Sequence, residues 1–321
     1  MAFGSGFRTP KPWLERCLER ELEECFTSPG RAKGGRNYFR LTFHMDAASC
    51  PSSISLIFKV IKDKNIDRMG SIGVGCTIDR QVNVRIKEYI KSSIFFNGTE
   101  INLPTVESVI DVLSSKPLSV EITSTLPLGY GFGISGASSL ATAIGINRLF
   151  SLKKSRLDLA KIAHRAEIIN RTGLGSIATQ ITGGFLVKKE AGLPVKTSFL
   201  PFVGKKIYAV IIDKLETPKI IRKSNRLRRI NTAAEKALRI ISQHPNISLA
   251  DILDISYNFA KESNLLTNQE LIKVINEIKN QSGHATMLML GQVAISDIKP
   301  KLDPKYHIEK LTISKQVGNL Q

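Results

Sequence analysis

The chain has 321 residues, of which 42% are hydrophobic, and its formal net charge is +18. This length allows one large domain or two ordinary ones, each with a sizeable core. Because no run of about 18 apolar residues and no apolar leader is present, we expect neither a transmembrane helix nor a signal peptide, and the sequence predicts a soluble cytoplasmic protein.

Residues 1–44 differ from the rest of the chain, because breaker-rich segments flank one amphipathic stretch, Trp13–Phe26. The apolar side chains of that stretch fall on one helical stripe, which predicts a surface helix. Two interpretations stay open: a partner-binding extension, or an artefact of start-site assignment with translation beginning at Met45. In either case we expect these residues to contribute little to activity.

From residue 45 onward the predicted elements alternate between strands and helices. Apolar and alternating runs predict strands at 53–60, from 70–75 through 84, at 86–94, at 118–123 and at 185–189. A nearly all-apolar run at 137–149 predicts a buried helix. Ser155 and Asp158 form a capping-box pattern before a helix that extends through residue 169, and a further helix ends at 183–184.

After about residue 200 the pattern restarts. It predicts a strand at 207–212, helices at 225–243, 249–262 and 268–280, and strands at 287–290 and 293–295. The remaining residues are charged and weakly patterned. The sequence therefore predicts two α+β domains, 45–195 and 200–300, with a tail at 301–321.

The most informative segment is Leu126–Ala143, which follows the 118–123 strand and extends into the predicted buried helix. It has glycines at 129, 131, 133 and 136 and serines at 135, 138 and 139, directly before the apolar helix pattern. Glycine permits positive φ angles and a close approach of the backbone to a ligand. Successive free N–H groups at a helix start form a positive concavity. This arrangement suits a polyphosphate and predicts an enzyme that uses a nucleotide.

The net charge of +18 allows a nucleic-acid partner or the attraction of anionic small substrates. The densest basic cluster, Arg222–Arg229, is interpreted as a solvated helix face, because no basic tract is interleaved with aromatic residues. The four cysteines and five histidines show no spacing typical of a metal site.

The glycine-rich segment resembles the Pro-x-x-x-Gly-Leu-Gly-Ser-Ser-Ala-Ala motif of the GHMP kinase superfamily, with Pro127, Gly131 and Gly133 at matching places. Within that superfamily the form Gly-Phe-Gly-x-Ser-Gly-Ala is most similar to the archaeal pantoate kinases. Other stretches that resemble motifs of that family, in the same order, are Gly70–Gly75, Ala163–Ile168, Thr172–Gly175, Gln180–Gly184 and His284–Gly291.

The resemblance implies an α+β, two-domain GHMP kinase fold, with ATP in the cleft between the N-terminal domain and a smaller C-terminal domain. It implies phosphoryl transfer from ATP, with Mg²⁺, to the primary hydroxyl of (R)-pantoate, which gives (R)-4-phosphopantoate in coenzyme A synthesis. It also suggests a homodimer that acts on a small hydroxy acid, with no nucleic-acid or membrane partner.

The residues that the resemblance assigns to the site form three groups. The nucleotide-binding positions are Pro127, Gly131, Gly133, Ser135, Gly136, Ala137 and Ser138. The Mg²⁺ ligands are Ser135 and Glu167. The acceptor pocket is lined by Ser53, Ser55, Thr172, Gly173, Gly175 and Gln180.

The sequence departs from the family pattern at the catalytic position, where Ser176 replaces the aspartate of Thr-Gly-Leu-Gly-Asp. In many members that aspartate is assigned as the base for the substrate hydroxyl, and losing a general base typically costs about 10²–10⁴-fold in rate. Ser53 and Ser55 also stand where pantoate kinases carry histidine and threonine. Lys188 and Lys189, where the family tends to place arginine, either hold a carboxylate or form an exposed strand end.

Three functions follow from these observations. The first is an ATP- and Mg²⁺-dependent kinase acting on pantoate, in which Ser176 lines the acceptor pocket. The second is a catalytically impaired nucleotide-binding paralogue, which the missing aspartate motivates. The third is a basic nucleic-acid-binding protein, which rests on the net charge alone.

Overall fold

The computed structural model describes residues 45–213 and 224–318, which form one mixed sheet of eleven strands with helices packed against it. The strands are β1 (Met45–Ile61), β2 (Gly70–Glu88), β3 (Ser93–Phe96), β4 (Thr99–Glu100), β5 (Leu118–Ser124), β6 (Phe185–Lys188), β7 (Thr197–Leu200), β8 (Lys206–Asp213), β9 (Ala285–Met287), β10 (Gln292–Ser296) and β11 (His307–Ser314). The helices are α1 (Pro104–Leu113), α2 (Ile134–Leu149), α3 (Arg156–Asn170), α4 (Ser176–Thr182), α5 (Ser224–Gln243), α6 (Leu249–Glu262) and α7 (Gln269–Asn280).

Strand β2 organises the sheet, because it pairs with four other strands along its 19 residues. β1 pairs antiparallel along one edge of β2. On the other edge, β6 pairs with residues 73–76, β11 with residues 77–78 and β5 with residues 82–88. β11 continues onto β8, which pairs with β10, and β10 pairs with β9. One sheet therefore spans both predicted domains, and the boundary near residue 200 stays a prediction.

Helix α2 lies at the centre of the core and contacts β1, β2, α1 and α3. Every residue from Ile134 to Ile146 except Ser135 is buried. A helix that is apolar or small on all faces is stable only when it is enclosed, which this packing provides. Helices α5 and α6 contact β1, and α7 contacts β9 and β10.

Strand β1 has two register shifts, one between Pro51 and Ser53 and one between Ser55 and Ile57. The residues left without a ladder partner are Ser52 and Leu56, and the shifts bend β1 beside Ser53 and Ser55. The Ser53 amide donates to the Phe132 carbonyl at 3.0 Å, and the Ser55 carbonyl accepts from the Met289 amide at 3.0 Å. The bulged part of β1 thereby contacts two loops at one place.

Most of the predicted elements are confirmed, but the strand at 86–94 is wrong, because β2 continues to Glu88 and β3 begins at Ser93. The predicted tail contains β11, and α1 and β7 were not predicted. Residues 1–44, with both interpretations of them, lie outside the described residues. Among the described helices, none is long and apolar enough to cross a membrane. The cytoplasmic location stays a prediction.

Candidate functional site

The glycine-rich turn between β5 and α2 exposes a series of unpaired main-chain donors. Gly129, Gly131 and Gly133 have φ angles of 92°, 89° and 67°, which glycine adopts without a Cβ penalty. No described residue accepts a hydrogen bond from the amides of residues 131–136, whereas the Ala137 amide closes the first turn of α2 on the Gly133 carbonyl at 3.0 Å. These donors, at the positive end of a helix dipole, suit an anion.

A cavity of about 490 Å³ opens beside this turn. The predicted site residues that line it are Ser53, Ser55, Gly131, Gly133, Ser135, Glu167, Thr172, Gly173, Gly175 and Ser176. The predicted site residues outside its lining are Pro127, Gly136, Ala137, Ser138 and Gln180. The structure thus brings residues from four separate segments of the chain together around one cavity, as a binding site requires.

The serines at the start of α2 have different surroundings. The Ser138 hydroxyl is buried and donates to the Ile134 carbonyl of its own helix at 2.8 Å. The Ser135 hydroxyl lies at the cavity and is 3.0 Å from the Thr105 hydroxyl of α1. Thr105 was missed by sequence reasoning, because nothing in its local sequence marks it as a neighbour of the turn.

Among the described residues that line the cavity, Glu167 alone has an acidic side chain. The residue is only 2% exposed. The Ser155–Asp158 capping box begins α3 and so fixes the helix that carries Glu167. The Ser176 hydroxyl donates to Glu167 Oε2. Burial raises the pKa of Glu167 to about 7, although the Ser176 hydrogen bond and the Lys188 charge oppose that shift. A bound cation would relieve this unfavourable burial of charge.

The donors present fit Mg²⁺ rather than a metal held by protein ligands alone. The described residues include no group of three or more His, Cys, Asp or Glu side chains that could hold a metal ion. The Glu167 carboxylate and the Ser135 hydroxyl line the cavity beside the glycine-rich turn. Magnesium takes one or two carboxylates and completes its shell with phosphate oxygens and water.

Lys188 and Lys189 have opposite surroundings at the end of β6. Lys189 is exposed, whereas Lys188 is 4% exposed and donates from Nζ to the Gly175 carbonyl at 3.0 Å. Burial lowers the pKa of Lys188 to about 8, and the Glu167 charge opposes that shift. Lys188 therefore places a positive charge directly behind the Gly175 wall of the cavity.

The segment Met289–Gly291, at the end of the His284–Gly291 stretch, bounds the cavity from the C-terminal half of the chain. Met289 and Leu290 line the cavity, and the Met289 amide bonds to β1 as described above. A Cβ at Gly131 would lie 3.0 Å from the Gly291 amide nitrogen, so the two turns meet backbone to backbone. His164 does not line the cavity: it is buried, with Nε2 2.9 Å from the Met69 carbonyl.

Gly133→Ala is expected to lower the free energy of unfolding by about 1–3 kcal/mol. The new Cβ would lie 2.5 Å from Ser53 Oγ and 3.0 Å from Gln180 Nε2, at a φ of 67°. Gly98→Ala is the matched control, because Gly98 has a φ of 78° but no atom within 4 Å of the added Cβ. Chemical denaturation of both variants measures the difference, and equal losses would show that the turn at Gly133 is not tightly enclosed.

The family model described as GHMP kinases N terminal domain matches residues 103–184. The pantoate kinase of Methanocaldococcus jannaschii is 33% identical over 248 residues, which cover 75% of this chain and 88% of that protein. A solved phosphotransferase related to the CoA biosynthesis pathway matches with a TM-score of 0.73 at 22% identity, over 86% of this chain and 98% of that one. Mevalonate-3-kinase from Thermoplasma acidophilum, with mevalonate 3-phosphate and ADP bound, matches with a TM-score of 0.61 at 14% identity. That match covers 87% of this chain and 99% of the other. These likenesses confirm the predicted fold class.

Proposed function

This chain belongs to the pantoate kinase family of the GHMP kinases, and on that premise we propose that it phosphorylates the primary hydroxyl of (R)-pantoate with ATP. The product is (R)-4-phosphopantoate, an intermediate for coenzyme A synthesis. The observation that carries the proposal is the cavity, where a buried carboxylate, Glu167, lies beside a turn of unpaired amides.

The nucleotide end of the cavity is the glycine-rich turn. The free amides of residues 131–136 bind the phosphate oxygens of ATP, as helix starts do in other anion sites. Glu167 and Ser135 hold Mg²⁺, which neutralises the charge on the phosphoryl group during its transfer. The mevalonate-3-kinase structure, which has a similar fold, contains ADP, and this supports an adenine nucleotide as the phosphate donor.

The acceptor end is bounded by Ser53, Ser55 and the 172–176 segment. The pantoate hydroxyl oxygen forms a bond to the γ-phosphorus, the bond from that phosphorus to the β-phosphate oxygen breaks, and ADP leaves. In a loose transition state the attacking oxygen gains little charge, so its position matters more than a strong base. Because Ser176 already donates its hydrogen to Glu167, its oxygen is available to accept a hydrogen bond from the pantoate hydroxyl and so to orient it. As the new bond to phosphorus forms, the hydroxyl proton passes to an oxygen of the transferred phosphoryl group.

The test is incubation of the purified chain with ATP, Mg²⁺ and pantoate, followed by ³¹P NMR, with mevalonate and homoserine as comparison acceptors. We expect 4-phosphopantoate and ADP in equal amounts, and much less product from the other acceptors. Tight ATP binding without any phosphorylated product, and without rescue by Ser176→Asp, would instead favour the nucleotide-binding paralogue.

The net positive charge does not favour a nucleic-acid function. In the basic cluster at 222–229, Arg226 donates to the Asn264 carbonyl and Arg229 to the Glu262 carbonyl, while Arg222 lies outside the described residues. These guanidinium groups bond to carbonyls at the C-terminal end of α6 and so hold α5 against it. The homodimer stays a prediction.

A further inference from the structure

Gln180 lies in α4 one helical turn after Ser176, behind the cavity wall, and its side chain is completely buried. Its Nε2 donates to the Gly133 carbonyl at 2.9 Å and to the Ser53 hydroxyl at 3.2 Å. Gln180 is not among the residues that line the cavity. Its predicted role in the acceptor pocket stays a prediction, and its contacts in the structure are with residues of the wall.

The two partners of Gln180 belong to opposite parts of the site. Gly133 is the last residue of the glycine-rich turn, and its carbonyl also accepts the first hydrogen bond of α2. Ser53 lies at the bulge of β1 on the acceptor side, and its amide donates to the neighbouring Phe132 carbonyl. One side-chain amide thus joins the phosphate-binding turn to the acceptor wall, next to an existing main-chain bond between the same segments.

The orientation of the Gln180 amide follows from its partners. The Gly133 carbonyl can only accept a hydrogen bond, so the NH₂ group must face it, and a flipped amide would set two acceptor oxygens against each other. With the NH₂ group in that orientation, its second N–H is donated to the Ser53 hydroxyl. Gln180 Oε1 is buried and has no partner among the described residues. The main-chain carbonyl of Gln180 accepts from the Gly318 amide at 3.1 Å, which anchors α4 from its other side.

We propose that Gln180 is a positioning residue that holds the phosphate-binding turn and the acceptor wall of β1 at the separation that phosphoryl transfer requires. The proposal rests on the proposed kinase function. Because Gln180 does not line the cavity, we expect it to act on the alignment of the two bound molecules rather than on the affinity for either. A misplacement of about 1 Å between reacting groups can cost about 10²-fold in rate.

The test compares Gln180→Met with Gln281→Met. Gln281 is the matched control, because its Nε2 also bridges two oxygens, the Glu277 and Lys301 carbonyls at 3.1 and 2.9 Å, at the end of α7. We expect Gln180→Met to lower kcat by about 10²-fold while the KM values for ATP and pantoate stay within about threefold of the wild type. Gln281→Met should keep the wild-type kcat.

Amide hydrogen exchange gives a second readout that needs no turnover. In Gln180→Met the amides of Ser53 and Ala137, which bond to the Phe132 and Gly133 carbonyls, should exchange about tenfold faster. Unchanged exchange at both amides, or a kcat equal to that of Gln281→Met, would overturn the positioning role. A wild-type chain that phosphorylates no acceptor would overturn the kinase proposal instead, and the exchange result would still decide whether Gln180 holds the glycine-rich turn and β1 together.

Discussion

Glu167→Gln is expected to lower kcat with pantoate by about 10³-fold, the largest effect of any single substitution in the cavity. Glutamine keeps the size of the side chain and can still accept a hydrogen bond from Ser176, but it removes the negative charge. Among the described residues that line the cavity, Glu167 alone has an acidic side chain, so no neighbouring carboxylate there can replace it in the proposed Mg²⁺ site.

Turnover measured over a range of Mg²⁺ concentrations, together with the melting temperature, tests this expectation. Glu107→Gln is the control, since Glu107 is exposed on α1 and lies outside the cavity lining. Glu107→Gln should keep the wild-type kcat and the same Mg²⁺ dependence. If Glu167→Gln is folded and turns over at close to the wild-type rate, Glu167 does not hold the metal.

The parts of the fold that the sequence predicts well are those with a strong local pattern. The apolar run before Leu149 predicts the buried helix α2, and the Ser155–Asp158 capping box marks the start of α3. Both signals act within a few residues, so one sequence is enough to detect them. The glycine-rich turn is also local, and its positive φ angles at Gly131 and Gly133 agree with its composition.

The parts that were missed depend on partners distant in the chain. β11 is charged and weakly patterned, yet it pairs with β8 and β2, more than 90 residues away in each case. The prediction that β2 ends at Val84 failed because alternation continues through a strand that pairs along both edges. Gln180 and Thr105 illustrate the same limit within the site, because their contacts with Gly133 and Ser135 arise from tertiary packing.

The replacement of the family's aspartate by Ser176 gives Glu167 a neutral neighbour. Two ionised carboxylates at this distance would repel each other and raise the pKa of one of them. With serine, the hydroxyl donates to Glu167 and favours its charged form. The substitution thus exchanges a proton acceptor for a hydrogen-bond donor that partly offsets the effect of burial on the pKa of Glu167. This is compatible with the proposed kinase, which relies on positioning.

Lys188→Met is expected to raise the KM for pantoate by about 10²-fold while the KM for ATP changes much less. No lysine, arginine or histidine lines the cavity among the described residues, although a hydroxy acid brings a carboxylate into it. Among the lysines and arginines of the described residues, Lys188 alone is buried. Its Nζ contacts the Gly175 carbonyl in the cavity wall. Methionine fills a similar volume but supplies neither the charge nor the hydrogen bond.

Lys189→Met is the matched control, since it makes the same substitution one residue further along, where the side chain is exposed. Steady-state kinetics with pantoate varied at saturating ATP, and with ATP varied at saturating pantoate, separate the two KM values. We expect Lys189→Met to match the wild type in both. An equal rise of both KM values in Lys188→Met would mean that the lysine supports the 172–175 turn as a whole. A selective rise for pantoate would show that its charge acts on the carboxylate of the acceptor from behind the Gly175 wall.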